Sequence, residues 1–512
     1  IITCDWSSDV CSSDLFFMAT LYRSTRDASA NSISSSQAVL QGISPDGGLF
    51  VPVDFPKLDL DLSQLPSLSY QELAYKILQP FFSDFTEDEL RSCINSAYGS
   101  NFTSEEITPV SYHAGNIYLE LFHGPTIAFK DVALQLLPYL LITSAKKNNS
   151  NLKNVILTAT SGDTGKAAMA GFADVENTQI IVFYPKYGVS PIQEKQMLTQ
   201  TGKNVYVVGI TGNFDNAQTN VKQIFNNSTL TDELLKSGYQ FSSANSINIG
   251  RLLPQIVYYF YAYGQLLADN KIKLGDNVNF SVPTGNFGDI LAGFFAKKLG
   301  LPINKLLCAS NENNILTEFF KTGTYNKKRD FKVTNSPSMD ILVSSNLERL
   351  LFYATNGNAA LVAEWMNQLE KEGEYTVDSD TLKFLQTHFY ASSASQTDTK
   401  NEIKQVFTES NYAIDPHTAV ASFVTREYKE SAADSCPTVT VSTASPYKFP
   451  QTVLAALGVD NATGDLDDVQ KLVDLIKLPL PKTVANLFEA KQLHDTVIEP
   501  DEMENYVKEL LI

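Results

Sequence analysis

Cysteine, tryptophan and basic residues are scarce in this chain of 512 residues, and long apolar runs are missing. The five cysteines (Cys4, Cys11, Cys93, Cys308 and Cys436) lie scattered, with no CxxC spacing and no histidine at ligand spacing. That excludes a zinc module and points to reduced thiols in a cytoplasmic protein. Lys and Arg number 39 against 57 Asp and Glu, a formal charge of −18. A general nucleic-acid binder needs basic stripes that displace counterions, and an anionic membrane attracts basic segments; the charge balance argues against both. No uncharged apolar run reaches the ~18 residues of a membrane span. The longest candidates, such as residues 134–142, are short and carry Pro138. What is abundant is packing material: 43% hydrophobic residues with 11% aromatics exclude a mainly disordered chain. The length predicts two to four domains or lobes at about 100–200 residues each.

Residues 1–17 are Ser/Asp-rich and lack Lys and Arg. A signal peptide has a basic start and an apolar stretch, and a transit peptide is Arg-rich and acid-poor; the segment fits neither. It reads as an extraneous, disordered stretch ahead of Met18, and is set aside from the fold argument.

From Met18 to about residue 105 the pattern predicts a small helix-rich unit. Serines precede a short apolar run that ends at Gly42, and Ser44-Pro45-Asp46-Gly47-Gly48 is a turn signal. Ser69 and Thr86 are placed to cap two helices between residues 67 and 99. Beyond residue 150 strand-like and helix-like segments alternate. Strands at 154–157, 179–184, 204–208 and 277–282 precede helices at 165–172, 191–200, 215–226 and 289–298. Such alternation predicts α/β architecture, with parallel sheets covered on both faces. Residues 392–400 are polar and predict a loop, after which 402–407, 439–442 and 467–476 resume the pattern.

Five stretches carry candidate chemistry. In His123-Gly124-Pro125-Thr126-Ile127-Ala128-Phe129-Lys130-Asp131, a lysine ends an apolar segment at the expected start of a helix. Burial and a positive helix terminus both disfavour its charge, and a neutral amine can form a Schiff base with an aldehyde. Taken alone, Lys130 also fits a lysine that snorkels its head to the surface. The run from Thr158 to Lys166 (TATSGDTGK) joins a strand to a helix with free amides and hydroxyls, which suits an anion. It equally fits a capped polar turn, and its spacing is not that of a P-loop. Residues 283–289 (PTGNFGD) form a glycine-bearing turn between strand and helix, where backbone can approach a phosphate. Paired with a Schiff-base lysine, that turn suggests pyridoxal phosphate. Residues 243–251 (SANSINIGR) offer Arg251 for a forked contact with phosphate or carboxylate. Residues 442–450 (STASPYKFP) form a strand end and a turn.

Together these stretches, with YRSTR, SPDGGLFVP and DPHTAVA, resemble the threonine synthase family over residues 20–460, in the expected order. That family belongs to fold type II of the pyridoxal phosphate enzymes, the tryptophan-synthase-β-like group. The separate N-terminal unit is similar to the longer fungal and bacterial subgroup. The resemblance implies two lobes with mainly parallel sheets. The expected division is 18–105 for the N-terminal domain, 106–150 with 260–512 for the larger lobe, and 151–259 for the smaller one. It implies that Lys130 holds pyridoxal phosphate as a Schiff base. Gly285, Asn286, Phe287, Gly288 and Asp289 would hold the cofactor phosphate. Thr443 would face the pyridine nitrogen, and Asp163 would lie near the 3′-oxygen. Thr160, Ser161, Thr164, Asn245, Ser246 and Arg251 would bind the substrate's phosphate and carboxylate. The implied reaction turns O-phospho-L-homoserine and water into L-threonine and phosphate, in a cytoplasmic monomer with no metal. A related dehydratase would not need the SANSINIGR stretch. Pro138 falls inside the helix expected after Lys130, where a proline either kinks the helix at a cost of roughly 3 kcal/mol or marks a helix end or bend.

Overall fold

The computed structural model describes residues 19–160 and 162–512, so the expectations for residues 1–17, for Met18 and for Ser161 lie outside the described residues. A six-stranded sheet runs in the order Phe389–Ser393, Ile303–Ser310, Val278–Pro283, Thr438–Ser442, Asn116–Glu120, Val110–His113. Its pairings are parallel except the last, a hairpin closed by Ala114 and Gly115, both at positive φ. Two such residues in succession give the turn whose twist matches that of the strands. A five-stranded, all-parallel sheet runs Val497–Ile498, Val205–Ile210, Thr178–Pro185, Lys153–Ala159, Tyr239–Ser242. Val278–Pro283 and Thr438–Ser442 are buried at every position, as parallel strands covered by helices on both faces must be.

The N-terminal unit carries the expected helices. Ser34, Ser69 and Thr86 accept backbone N–H groups at the starts of Ser35–Gln41, Tyr70–Leu78 and Glu87–Ala97. It also holds a three-stranded antiparallel sheet of Tyr22–Ser24, Ser32–Ile33 and Phe50–Pro52. The unit packs on the helix Ile256–Ala268, where Tyr70 meets Tyr261 edge-on at 5.2 Å. Among the described residues, no helix is long and apolar enough to cross a membrane.

Three local expectations change. The helix after Lys130 is two helices, Lys130–Leu134 and Leu137–Lys147, and Pro138 sits in the first turn of the second. A first-turn residue has no intrahelical acceptor for its N–H, so the proline removes nothing there: of the two expected placements it takes the helix end, and no kink arises. The polar stretch 392–400 is not a loop: Phe389–Ser393 is a strand and Gln396–Ser410 a helix. Ser395 and Asp398 form a reciprocal capping box, so the polar residues serve a helix start. Finally, the division by sequence placed all of 260–512 in the larger lobe. The strand Val497–Ile498 instead pairs with Val205–Ile210, and Met503, Val507 and Leu511 pack into the smaller sheet's core.

Candidate active site

The chemistry-bearing stretches all follow the carboxyl ends of parallel strands, where open α/β sheets bind ligands. The 116–120, 278–283 and 438–442 strands deliver them from the larger sheet, and 153–159 and 239–242 from the smaller. Residues 127–129 run antiparallel to 443–445. The Phe129 N–H donates to Thr443 O at 2.8 Å and the Ser445 N–H to Ile127 O at 3.1 Å. The buried Asp131 carboxylate accepts the Thr126 N–H (2.8 Å) and hydroxyl (2.7 Å), folding the chain back so that Lys130 opens a helix. A Cβ on Gly124 would lie 2.4 Å from that of Asp131, so this fold-back requires glycine.

Lys130 Nζ lies 3.9 Å from Asp163 Oδ2. Asp163 is the first residue of the helix Asp163–Phe172. Its Oδ2 accepts the Ser338 hydroxyl at 2.9 Å, and its Oδ1 accepts Gln193 Nε2–H at 2.8 Å. On the Oδ1 side stands a second lysine, Lys448, with Nζ at 3.2 Å. Lys448 is wholly buried and donates to Thr126 O at 2.8 Å. His417 closes this side: its Nε2 accepts the Ser338 N–H at 3.1 Å, so its Nδ1 carries the proton shared with Asp415 Oδ2 at 2.6 Å.

Burial pushes the Lys130 amine down to about 8; Arg251 and Lys448 add to the fall, and Asp163 opposes it. Burial alone would raise Asp163, but Lys448 and Lys130 outweigh it and hold this carboxyl well below the usual carboxylate range. The pair therefore combines a fixed anion with an amine that can shed its proton near neutral pH.

The 283–289 turn presents backbone. Phe287 adopts φ 64° and its ring stacks toward Phe320 and Phe389 with centroids at 6.0 and 5.8 Å. The left-handed conformation costs about 1–2 kcal/mol, which burial of the ring at about 2–3 kcal/mol offsets. Asp289 likewise turns its carboxylate away, accepting the Tyr258 and Tyr259 hydroxyls at 2.6 and 2.8 Å. Burial pushes it up to about 6, and its Oδ2 has no partner among the described residues. Ser344 donates to Gly285 O at 2.6 Å, and Asn346 donates to Asn286 O through both its backbone and side-chain N–H at 3.0 Å. The carbonyls are thus held from behind, while the first amides of the helix Gly288–Lys298 have no intrahelical acceptors.

In the smaller lobe, Thr160 Oγ1 accepts the Gly162 and Gly165 N–H groups at 3.0 and 2.9 Å, so this hydroxyl shapes the turn as well as facing it. Thr164, Asn245 and Ser246 are half-buried on the same two turns. Arg251 is buried, with Nη1 donating to Ala244 O at 2.9 Å and Nε without a partner among the described residues. A buried guanidinium nitrogen with no partner is costly unless an anion completes it.

A shedding amine, a fixed carboxylate, a helix start with free amides and an uncompleted arginine fit pyridoxal phosphate, an aldehyde that carries a phosphate, together with a second anion. Fold and site define the class: the model of pyridoxal-phosphate dependent enzymes matches residues 106–443. The models of the threonine synthase N terminus and C-terminal part match residues 21–98 and 418–507. The threonine synthase of Saccharomyces cerevisiae is 39% identical over 491 residues, 89% of this chain and 94% of that protein. The chain belongs to the threonine synthase family. Human threonine synthase-like 1 is 41% identical over 436 residues, 83% of this chain, and the chain spans only 58% of that protein's length. The solved structure of pyridoxal-phosphate-bound threonine synthase from Brucella melitensis is 37% identical. It aligns with a TM-score of 0.84, covering 96% of this chain and all of that one.

Sequence reasoning missed Lys448, His417, Ser338 and Gln193. Lys448 and His417 stand inside motifs that had drawn notice, and a basic residue between Pro446-Tyr447 and Phe449-Pro450 is a legible sign of a buried lysine. Ser338 and Gln193 carry no such signal; tertiary packing alone brings them to Asp163.

Proposed function

We propose that this protein acts as a threonine synthase, converting O-phospho-L-homoserine and water into L-threonine and phosphate. The observation that carries the reading is the largely buried Lys130 amine 3.9 Å from Asp163 Oδ2, with Arg251 near enough to lower it further and with the Arg251 Nε unpartnered among the described residues. In this reading Lys130 holds pyridoxal phosphate, and backbone amides of Gly285, Asn286, Phe287, Gly288 and Asp289 hold its phosphate. Asp163 and Thr443 orient the ring, and Thr160, Thr164, Asn245, Ser246 and Arg251 bind the substrate's two anionic ends. When bound, the cofactor supplies an electron sink for charge released at the carbons beside the substrate amine.

This chain's own groups then do the proton work. Lys130, once its amine is released from the cofactor, takes protons from the substrate's α and β carbons; one returns to Cγ as the Cγ–O bond breaks and one to Cα as water adds at Cβ, and the remaining water proton leaves on the phosphate. Asp163 stays anionic between two lysines, which keeps a fixed charge against the reacting end. Arg251, with a guanidinium fork, suits a phosphate or carboxylate that must be held while bonds change. The same reading takes the protein as a cytoplasmic monomer. Its lobes are 106–150 with 260–496, and 151–259 with 497–511, and residues 19–105 form a third unit.

The test is a visible spectrum with and without borohydride, then phosphate release from O-phosphohomoserine. A yellow protein is expected whose colour borohydride fixes to Lys130, with phosphate and threonine formed in equal amounts. Lys130→Ala should lose both the colour's covalent capture and turnover. A Lys130→Ala protein that still turns over and is still captured would refute the assignment.

A further inference from the structure

Arg349 is fully buried, and its guanidinium reaches three separate parts of the molecule. Nε donates to Phe50 O at 2.9 Å, in the N-terminal sheet, and Nη2 to Ile247 O at 2.6 Å, in the 243–251 loop. Nη1 donates to the side-chain oxygen of Asn346, whose own N–H groups hold Asn286 O in the 283–289 turn. One planar cation thus ends on the cofactor-phosphate turn, the substrate loop and the N-terminal unit. Its neighbour Glu348 repeats the connection to that unit: it takes Arg26 Nε and Nη2 at 2.8 and 2.7 Å and accepts the Thr25 hydroxyl. A second tie runs from Asn248, at the end of the substrate loop, to Val39 O at 3.0 Å. Among the described residues Arg349 binds no carboxylate, so it is not half of a simple ion pair; its acceptors are two carbonyls and an amide.

We propose that Arg349 is a positioning residue that locks the two anion-binding loops to each other and to the N-terminal unit, so that cofactor phosphate and substrate anion sites order together. This rests on the reading of those loops given above. Each loop packs locally through buried side chains such as Phe287 and Ile249, and the bonds at Arg349 and Asn346 link one loop to the other. The Arg349 bond to Ile247 O and the Asn346 bonds to Asn286 O fix one loop each relative to one rigid helix, Leu347–Ala354, and the Arg349 bond to Phe50 O adds the N-terminal unit. The N-terminal unit, which supplies none of the reacting groups, becomes part of the site's framework through Phe50, Val39 and the Arg26–Glu348 pair.

The test uses the full-length, cofactor-loaded protein with Arg349→Lys and Asn346→Ala. A lysine keeps the charge, but its single nitrogen cannot span three acceptors in separate directions. Asn346→Ala removes the side-chain bonds to Asn286 O and to Arg349 Nη1 and leaves the backbone N–H on Asn286 O. For Arg349→Lys, a rise of about tenfold in both the cofactor dissociation constant and KM is expected, with kcat changed less. Amide exchange of residues 243–251 and 283–289 should speed up together. Asn346→Ala, which removes no buried charge, should weaken cofactor binding and speed exchange at 283–289. A cooperatively unfolding Asn346→Ala protein with wild-type cofactor affinity and exchange overturns the proposal, whether or not Arg349→Lys folds. A folded Arg349→Lys protein with unchanged KM and loop exchange does so as well. If the wild type releases no phosphate from O-phosphohomoserine, the activity reading falls, while the cofactor and exchange arms still decide the role of Arg349.

Discussion

Lys130 should be bought for function at a cost in stability, and the cost can be worked out. Its ordinary value is 10.5, and in the fold it stands at about 8, chiefly through burial. At about 1.4 kcal/mol for each tenfold difference, carrying the charged amine in the folded apoprotein costs about 3 kcal/mol. Methionine keeps the stem's length and shape without the charge. Asp163 would still be held by Lys448 at 3.2 Å, by Gln193 and by Ser338. Lys130→Met should therefore stabilise the apoprotein by about 3 kcal/mol at pH 7 while abolishing turnover. The pH dependence fixes the cause. Between about 8 and 10.5 the unfolded chain holds a proton that folded wild type has released, so wild-type stability rises with pH across that window. The advantage of Lys130→Met is thus full below about 8 and fades toward 10.5. Urea unfolding of both apoproteins at a series of pH values measures it. A variant less stable than wild type at pH 7, or a difference that does not change with pH, would refute the burial argument.

Asp163→Asn removes the anion between two buried lysines and leaves Lys448 uncompensated, so stability should fall by about 3–5 kcal/mol in urea unfolding. Because Asp163 opposes the fall of Lys130, its loss should also lower the Lys130 amine of the apoprotein below about 8, read from the pH dependence of its labelling by an amine reagent; an upward move would contradict the electrostatics. Gly285→Ala places a Cβ 3.1 Å from Ser338 O and 3.3 Å from Met339 Cα, both backbone. The 338–339 segment must then shift, carrying the Ser338 hydroxyl off Asp163. Cofactor affinity, read by titration, should fall about tenfold with under about 1 kcal/mol lost in stability; unchanged affinity would mean the turn has slack.

How much of this was legible depended on whether a feature is local. Strand–turn–helix junctions announce themselves: the TATSGDTGK and PTGNFGD runs break hydrophobic strands with glycines and hydroxyls, and both open helices where expected. Caps are equally local, and Ser69 and Thr86 fell where the residues put them. Ser395-x-x-Asp398 carries the same signal, but the polar composition of 392–400 hid it. What composition and spacing could not supply is anything set by chain ends meeting. The Val497–Ile498 strand adds to Val205–Ile210 across nearly 300 residues, and no period in either segment names the other.

The site divides along the same line, and the division has a physical reason. Residues that offer backbone, such as Gly285 and Gly288, are marked by their own glycine-bearing turn, even though Ser344 and Asn346 hold that turn from outside. Residues that offer charge need a partner to be tolerated inside, and the partner comes from elsewhere. Asp163 is an ion only because Lys130 and Lys448 arrive from opposite ends of the chain, while Gln193 and Ser338 satisfy its remaining lone pairs. An aspartate in SGDTG therefore cannot be read from its own motif as anion or acid. Its state is a property of the STASPYK turn as much as of its own, and an asparagine there would need no such company. Wherever this position carries aspartate, a buried cation equivalent to Lys448 should accompany it, because an unpaired carboxylate at this depth would take up a proton instead.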